Sequence, residues 1–307
     1  MQTIKKLIDN IEKVIVGKRA VIELAVISLL CRGHVLLEDV PGTGKTMLAR
    51  ALAKSVAVDM KRLQCTPDLL PSDITGVPIY NQKTGEFEFR AGPVFTHILL
   101  ADEINRATPR AQSALLECME EFRVSVDGST YDLPPLFMVL ATQNPIDMAG
   151  THVLPEAQLD RFFVRLNVGY PTLEEEVRIL GAQTFVHPIE QLQAVATEAE
   201  ILAAHEAAKQ IHINPDVAEY IARITAATRR HPDLRLGASP RGTLALARGV
   251  RGLAFLRGRD YATPDMVKLM AGPVLEHRLI VRPQAAALGK TANNILKEVL
   301  DQVTPPV

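Results

Sequence analysis

The run Asp39-Val-Pro-Gly-Thr-Gly-Lys-Thr46 puts glycines, a lysine and a hydroxyl into one short turn. Such a turn can cradle a polyphosphate. Gly42 and Gly44 let backbone N–H groups point inward with no Cβ in the way, and Pro41 and Thr43 complete the loop. Lys45 would reach the β- and γ-phosphates, and the Thr46 hydroxyl would ligate Mg²⁺. Asp39 stands where the pattern usually has its first glycine, at the point where a strand leaves the sheet. A second pair, Asp102-Glu103, ends an apolar run. Asp102 would hold the Mg²⁺ shell, and Glu103 would orient and activate an attacking water. Asn144, in Ala141-Thr-Gln-Asn-Pro145, offers an amide beside the γ-phosphate, although Asn-Pro also marks a plain turn. Arg161 either stabilises phosphate charge on a neighbouring molecule or pairs with Asp160 on the surface. Arg241, in Ala238-Ser-Pro-Arg241, lies in the first turn of a capped helix, where guanidinium and helix dipole can both address a phosphate.

These residues must be carried by alternating strands and helices. Strands are expected at His34–Glu38, Arg62–Cys65, His97–Ala101, Leu136–Thr142 and Phe163–Val168, and helices at Lys45–Val56 and Thr108–Phe122. That alternation predicts an α/β fold with a mostly parallel five-stranded sheet, its ligands at the carboxyl ends of the strands. Two hairpins interrupt it, at about 76–90 around Lys83-Thr-Gly85 and at 123–131 around Asp127-Gly128. After Tyr170-Pro171 the pattern turns helical. Thr172-Leu-Glu-Glu175 is a capping box, and Asn214-Pro215, Ser239-Pro240 and Thr263-Pro264 pair a cap with a proline at the first helical position. Two domains are therefore expected, α/β over 1–170 and all-α over 171–307.

Composition fits an ordinary globular chain: 47% apolar and 22% charged residues, with a formal net charge of -1. That balance gives no electrostatic case for nucleic acid or an anionic membrane, and no apolar run is long enough to span a bilayer. Cys31, Cys65 and Cys118 show no metal or pairing spacing and read as buried thiols, which suits the cytoplasm. Between Arg229 and Arg259 eight arginines face the single acid Asp233. Leu244, Leu246, Val250, Leu253 and Phe255 give that stretch a core face as well, so we read it as a basic subunit interface.

Taken together, Val40–Thr46, Leu99–Ala107, Ala141–Pro145, Leu154–Phe162 and Ala238–Arg241 resemble the AAA+ ATPases, and specifically the MoxR family. Ile15-Val-Gly-Lys18 looks like that family's adenine-side segment, which adds Val16 and Gly17 to the nucleotide-binding set. The resemblance makes Lys45 and Thr46 the Walker A pair, Asp102 and Glu103 Walker B, Asn144 sensor 1, Arg161 the arginine finger and Arg241 sensor 2, in cis or in trans. It makes the hairpins the helix-2 insert and the pre-sensor-1 hairpin, facing the pore of a ring, and the helical half a lid. It implies ATP and Mg²⁺ as cofactors and a homo-oligomeric ring, a hexamer, with chaperone-like action on a protein client. A separate adaptor carrying a von Willebrand factor A domain is a further implied partner. The rival readings are a DNA-acting motor of the same branch, against which Glu86 and Glu88 in the first hairpin argue, a chelatase-type motor subunit, and a non-catalytic ATP-binding switch, against which Glu103 and Arg161 argue.

Overall fold

The computed structural model describes residues 2–40, 42–144, 151–182 and 187–306; Pro41 and Pro145, singled out above, lie outside them. The strands are β1 (Val35–Glu38), β2 (Met60–Gln64), β3 (Gly76–Asn81), β4 (Glu86–Ala91), β5 (Ile98–Asp102), β6 (Arg123–Val126), β7 (Ser129–Asp132), β8 (Met138–Gln143), β9 (Val164–Leu166), β10 (Leu234–Leu236) and β11 (Ile280–Val281). The first helices are α1 (Gln2–Glu12), α2 (Arg19–Leu30), α3 (Lys45–Val56), α4 (Pro71–Thr75), α5 (Pro109–Glu121) and α6 (Glu156–Leu159). Then come α7 (Leu173–Ala182), α8 (Pro188–Gln191), α9 (Glu198–Lys209), α10 (Pro215–Arg230), α11 (Pro240–Arg257), α12 (Pro264–Leu275), α13 (Pro283–Ala287) and α14 (Ala292–Gln302).

Five strands form a parallel sheet in the order β2-β5-β8-β1-β9, each within two residues of its expected ends. Both faces of the central strands are covered, so they read as continuous apolar runs rather than as alternation. Val35 and Leu37 of β1, Ile98 and Leu100 of β5, and Met138 and Leu140 of β8 point to one apolar cluster. Leu36, Leu99, Ala101, Val139 and Ala141 point to the other, under α5. The first cluster continues through α1 to α3 into Tyr220, Val250 and Ile295 of the later helices, so both halves of the chain share one core. Gly252 of α11 permits the close approach, since a Cβ there would meet Cys31 Sγ at 2.9 Å and Ile27 Cγ2 at 3.0 Å.

The expected caps form at Thr108, Thr172, Asn214, Ser239 and Thr263. All three cysteines are buried, which pushes each thiol up to about 12 and leaves it inert. The hairpins form as β3–β4 and β6–β7, the second turning on Asp127 and Gly128 at φ 48° and 78°. Rings join them: Phe89 of β4 stacks on Tyr131 of β7 with centroids 4.0 Å apart. The basic stretch departs from expectation in two ways. It runs through α10, β10 and α11, with β10 pairing antiparallel with β11 inside the half expected to be all-α, and Leu244 is 67% exposed while Leu246, Val250 and Leu253 are buried.

Candidate active site

Sheet order decides what meets at the carboxyl ends of the strands. β5, β8 and β1 are neighbours, so Asp102 and Glu103, Asn144, and the loop after Glu38 converge on one cleft. Gly42, Gly44, Lys45, Thr46 and Thr142 line it with them. Gly42 and Gly44 sit at φ +86° and +87°, and a Cβ added at either would meet nothing within 4 Å. Their backbone therefore borders open space of the kind a phosphate fills. Gly44 caps α3 without a side-chain hydrogen bond, leaving first-turn N–H groups for an anion. Thr46 and Asp102 supply oxygen donors on the same cleft, the ligand type Mg²⁺ takes.

The carboxylates are held from below. Thr142 Oγ1 donates to Asp102 Oδ1 at 2.6 Å and accepts the Glu103 N–H at 2.8 Å. Glu103 stands in the left-handed region at φ 56°, and its Oε2 accepts from Gln64 Nε2 at 3.1 Å and Arg106 Nη1 at 3.0 Å. Arg62 reaches Asp102 Oδ2 with Nη2 at 2.6 Å. Lys45 Nζ lies over the loop, donating to the carbonyls of Asp39 and Val40 at 2.7 and 2.8 Å. Burial lowers its ammonium below 10.5, and the carboxylates of Asp39, Asp102 and Glu103 pull it back up.

Arg161 and Arg241 are elsewhere. Arg161 precedes β9, whose Val164 pairs with Val35 at the start of β1, so it lies at the amino end of the sheet. It shares a pocket there with Arg32, Gly33 and His34, residues that lead into β1. Arg161 Nε is 3.2 Å from Glu120 Oε2, and Arg241 bonds the other oxygen of the same carboxylate. Asp160 does not pair with Arg161. It accepts from Arg278 Nε at 2.7 Å and from Ser239 Oγ at 2.7 Å, tying the later helices to the segment before β9.

Comparison with known proteins places this geometry. A family model described as "ATPase family associated with various cellular activities (AAA)" matches residues 34–164, and one described as "AAA lid domain" matches 226–299. Chaperone MoxR1 of Mycobacterium tuberculosis is 40% identical over 315 residues, covering 100% of this chain and 83% of that one. Protein MoxR of Paracoccus denitrificans is 32% identical over 297 residues, covering 88% and 86%. The chain belongs to the MoxR family of AAA+ ATPases. Uncharacterized protein YeaC of Bacillus subtilis (strain 168) is 49% identical to this MoxR ATPase, covering 98% and 94%. A crystal structure of a candidate ATPase from Cytophaga hutchinsonii superimposes with a TM-score of 0.92 at 38% identity, covering 100% and 96%.

Asp39, the departure from the glycine pattern, has a local explanation in this MoxR chain. It is buried at the exit of β1, and its carboxylate accepts from Val40 N at 2.8 Å and Gly169 N at 2.6 Å. The glycine-rich loop is thereby clamped to the turn that leads into the helical half. Gly17, at φ +75°, passes so close to Glu175 in the first turn of α7 that a Cβ would overlap its carboxylate at 1.8 Å. Lys18 Nζ donates to the Tyr170 carbonyl at 2.8 Å. Sequence reasoning missed Arg62, Gln64, Arg106, Glu120, Thr142 and Arg278. Arg62 and Gln64 alternate with Leu63 on β2, a signal for two polar side chains on one face, but only the pairing of Gln64 with Asp102 brings them to the site. Among the described residues no helix is long and apolar enough to cross a membrane.

Proposed function

We propose that this MoxR ATPase hydrolyses ATP with Mg²⁺ in a homo-oligomeric ring of six and spends the cycle on chaperone-like remodelling or activation of protein complexes. The observation that carries the reading is the separation of two half-sites. The phosphate loop, Asp102, Glu103 and Asn144 gather at the carboxyl ends of the strands. Arg161 and Arg241 gather at the amino ends, past the four residues of β1, which span ~13 Å. Neither arginine faces the cleft of its own subunit, and a head-to-tail ring would bring one subunit's arginines to the next subunit's cleft. Arg241 then acts in trans, as Arg161 does. The name chaperone carried by the Mycobacterium relative supports the remodelling half of the proposal.

In this scheme Lys45 and the loop N–H groups bind the β- and γ-phosphates, and Thr46 and Asp102 hold Mg²⁺. Once bound, Mg²⁺ would offset the charge on the phosphate oxygens. Glu103 orients the water and takes its proton as the water attacks phosphorus and the bond to ADP breaks. Asn144 fixes the water and γ-phosphate from the side. The neighbour's Arg161 and Arg241 neutralise the charge that develops. Residues 171–307 act as the lid, and the β3–β4 hairpin presents Tyr80 and Phe87, 53% and 72% exposed, to the client.

The test is steady-state hydrolysis across a protein concentration series, with Glu103→Gln and Arg161→Ala alone and mixed. Each variant should bind ATP and fail to turn it over, and the mixture should regain activity, because an Arg161→Ala cleft can borrow Arg161 from a Glu103→Gln neighbour. A mixture as inactive as its components, or a specific rate independent of dilution down to monomers, would sink the shared site.

A further inference from the structure

We propose that Glu120 is a positioning residue that stands in for the neighbouring subunit's γ-phosphate. It holds Arg161 and Arg241 together in the unassembled chain and surrenders them when a nucleotide-bearing neighbour docks. This rests on the trans reading of both arginines above.

Three observations carry it. The first is the shape of the contact. Arg161 comes from the α/β half, just before β9, and Arg241 from the first turn of α11 in the helical half. One carboxylate bridges them, an oxygen to each, as the oxygens of a phosphate would.

The second is charge. The pocket contains Arg32, Arg161, Arg241, Arg248 and Arg278 against Glu120 and Asp160. Asp160 is committed to the buried Arg278 and to Ser239. Arg32 and Arg248 lie over the rings of Phe122 and Phe163, 4.5 and 5.6 Å from the centroids. The ion pairs in this pocket among the described residues are therefore those of Glu120 and Asp160 alone, and a surplus of positive charge is left facing outward. The side chains of Glu120, Arg161 and Arg241 are 35%, 30% and 42% exposed, so an incoming phosphate can reach all three.

The third is the place of Glu120 in its helix. It is the penultimate residue of α5, beside Glu121, at the negative end of the helix dipole, where a carboxylate is disfavoured unless a cation sits on it. Giving up both arginines therefore loosens the end of α5. That end runs through Phe122, in the left-handed region at φ 54°, straight into the β6–β7 hairpin. The exchange of Glu120 for a phosphate is thus a local event that the hairpin feels.

Glu120→Gln keeps the shape and removes the charge. The variant should need less protein to reach half-maximal hydrolysis, by about fivefold for two part-exposed ion pairs. ATP-dependent assembly, followed by sedimentation in the Glu103→Gln background, should shift to lower concentration by a similar factor. A merely structural role for Glu120 predicts the opposite direction, with assembly weakened. An unchanged or raised midpoint in Glu120→Gln overturns the proposal. Should Glu120→Gln fail to fold, Glu120→Asp, whose shorter carboxylate cannot bridge both arginines, should lower the midpoint by a smaller factor, and no shift there overturns it equally. The mixture of Glu103→Gln and Arg161→Ala separates the two levels. If the mixture regains activity and the Glu120 midpoint does not move, the stand-in fails alone; if the mixture stays dead, the trans arginine fails and the stand-in with it.

Discussion

Thr142 sits under both acidic residues of the cleft, and its replacement by valine is the most informative single change. Valine matches the shape and removes one oxygen. That oxygen donates to Asp102 and accepts the Glu103 N–H. A hydrogen bond to a charged group is worth about 1.5–3 kcal/mol, and leaving a buried N–H unpaired costs about 1–3 kcal/mol. The new methyl group recovers part of this, so Thr142→Val should lose about 3 kcal/mol of stability. For a chain of this size the melting temperature should fall by about 5 °C. The catalytic effect comes through Glu103. Its left-handed backbone costs about 1–2 kcal/mol for a residue with a Cβ, and the bond to Thr142 is one of the contacts that maintain it. Freed, Glu103 relaxes and its carboxylate moves; a displacement of about 1 Å costs about 10²-fold in rate. The phosphate loop is untouched, so ATP should bind within about threefold of wild type while kcat drops by about one to two orders of magnitude. Thr142→Ser, which restores the hydroxyl, should return most of both losses. Thermal melts, nucleotide titration and steady-state rates on the three proteins decide it. A Thr142→Val protein with wild-type kcat and melting temperature refutes the claim that this hydroxyl positions Glu103.

Three further outcomes are expected. Asp39→Ala removes the acceptor for the N–H groups of Val40 and Gly169, so stability should fall by about 2 kcal/mol and the KM for ATP should rise, read by melting and by initial rates. Arg278→Ala strips the buried guanidinium from Asp160 and the carbonyls around it and should cost about 3–5 kcal/mol; Arg278→Lys, without the planar fork, should rescue little of it in a denaturant titration. His34 is buried with its ring between the Met119 carbonyl and the Val139 N–H, and burial lowers it to about 4 from 6.5. The unfolded chain therefore binds the extra proton between those values. The stabilising contribution is complete above pH 6.5 and is lost as pH falls towards 4, by roughly 3 kcal/mol in all. His277, also pushed down by burial, adds to the same acid slope, and melting temperature against pH for wild type and His34→Gln should show the slope flatten in the variant.

Much of the site was legible because its signals are local. A glycine at positive φ, a serine or threonine capping the next turn, and an apolar run ending in two acids are each decided within a few residues. Such signals located α3, the caps and the tip of β5. The two Asp readings show where that ended. Asp39 looked like a blemish in a glycine pattern, and its reason is an N–H 130 residues away. Asp160 is by position one of two candidate partners for its neighbour Arg161, yet it holds Arg278, 118 residues on. Leu244 belongs by type to a core face and is exposed.

Residue types and spacing alone were enough for the glycine-rich loop before α3, the Asp102-Glu103 pair at the tip of β5, the parallel-sheet class and the change to mostly helical character near residue 170. Only the tertiary structure decided that Gln64 and Arg62 stand beside Asp102 and Glu103, that Thr142 supports both acids, and that Arg161 and Arg241 meet on Glu120 at the far end of the sheet. The reason is the range of the forces. Backbone sterics and capping act within a turn of chain, whereas strand order and the shared core are set by the burial of all the apolar faces at once.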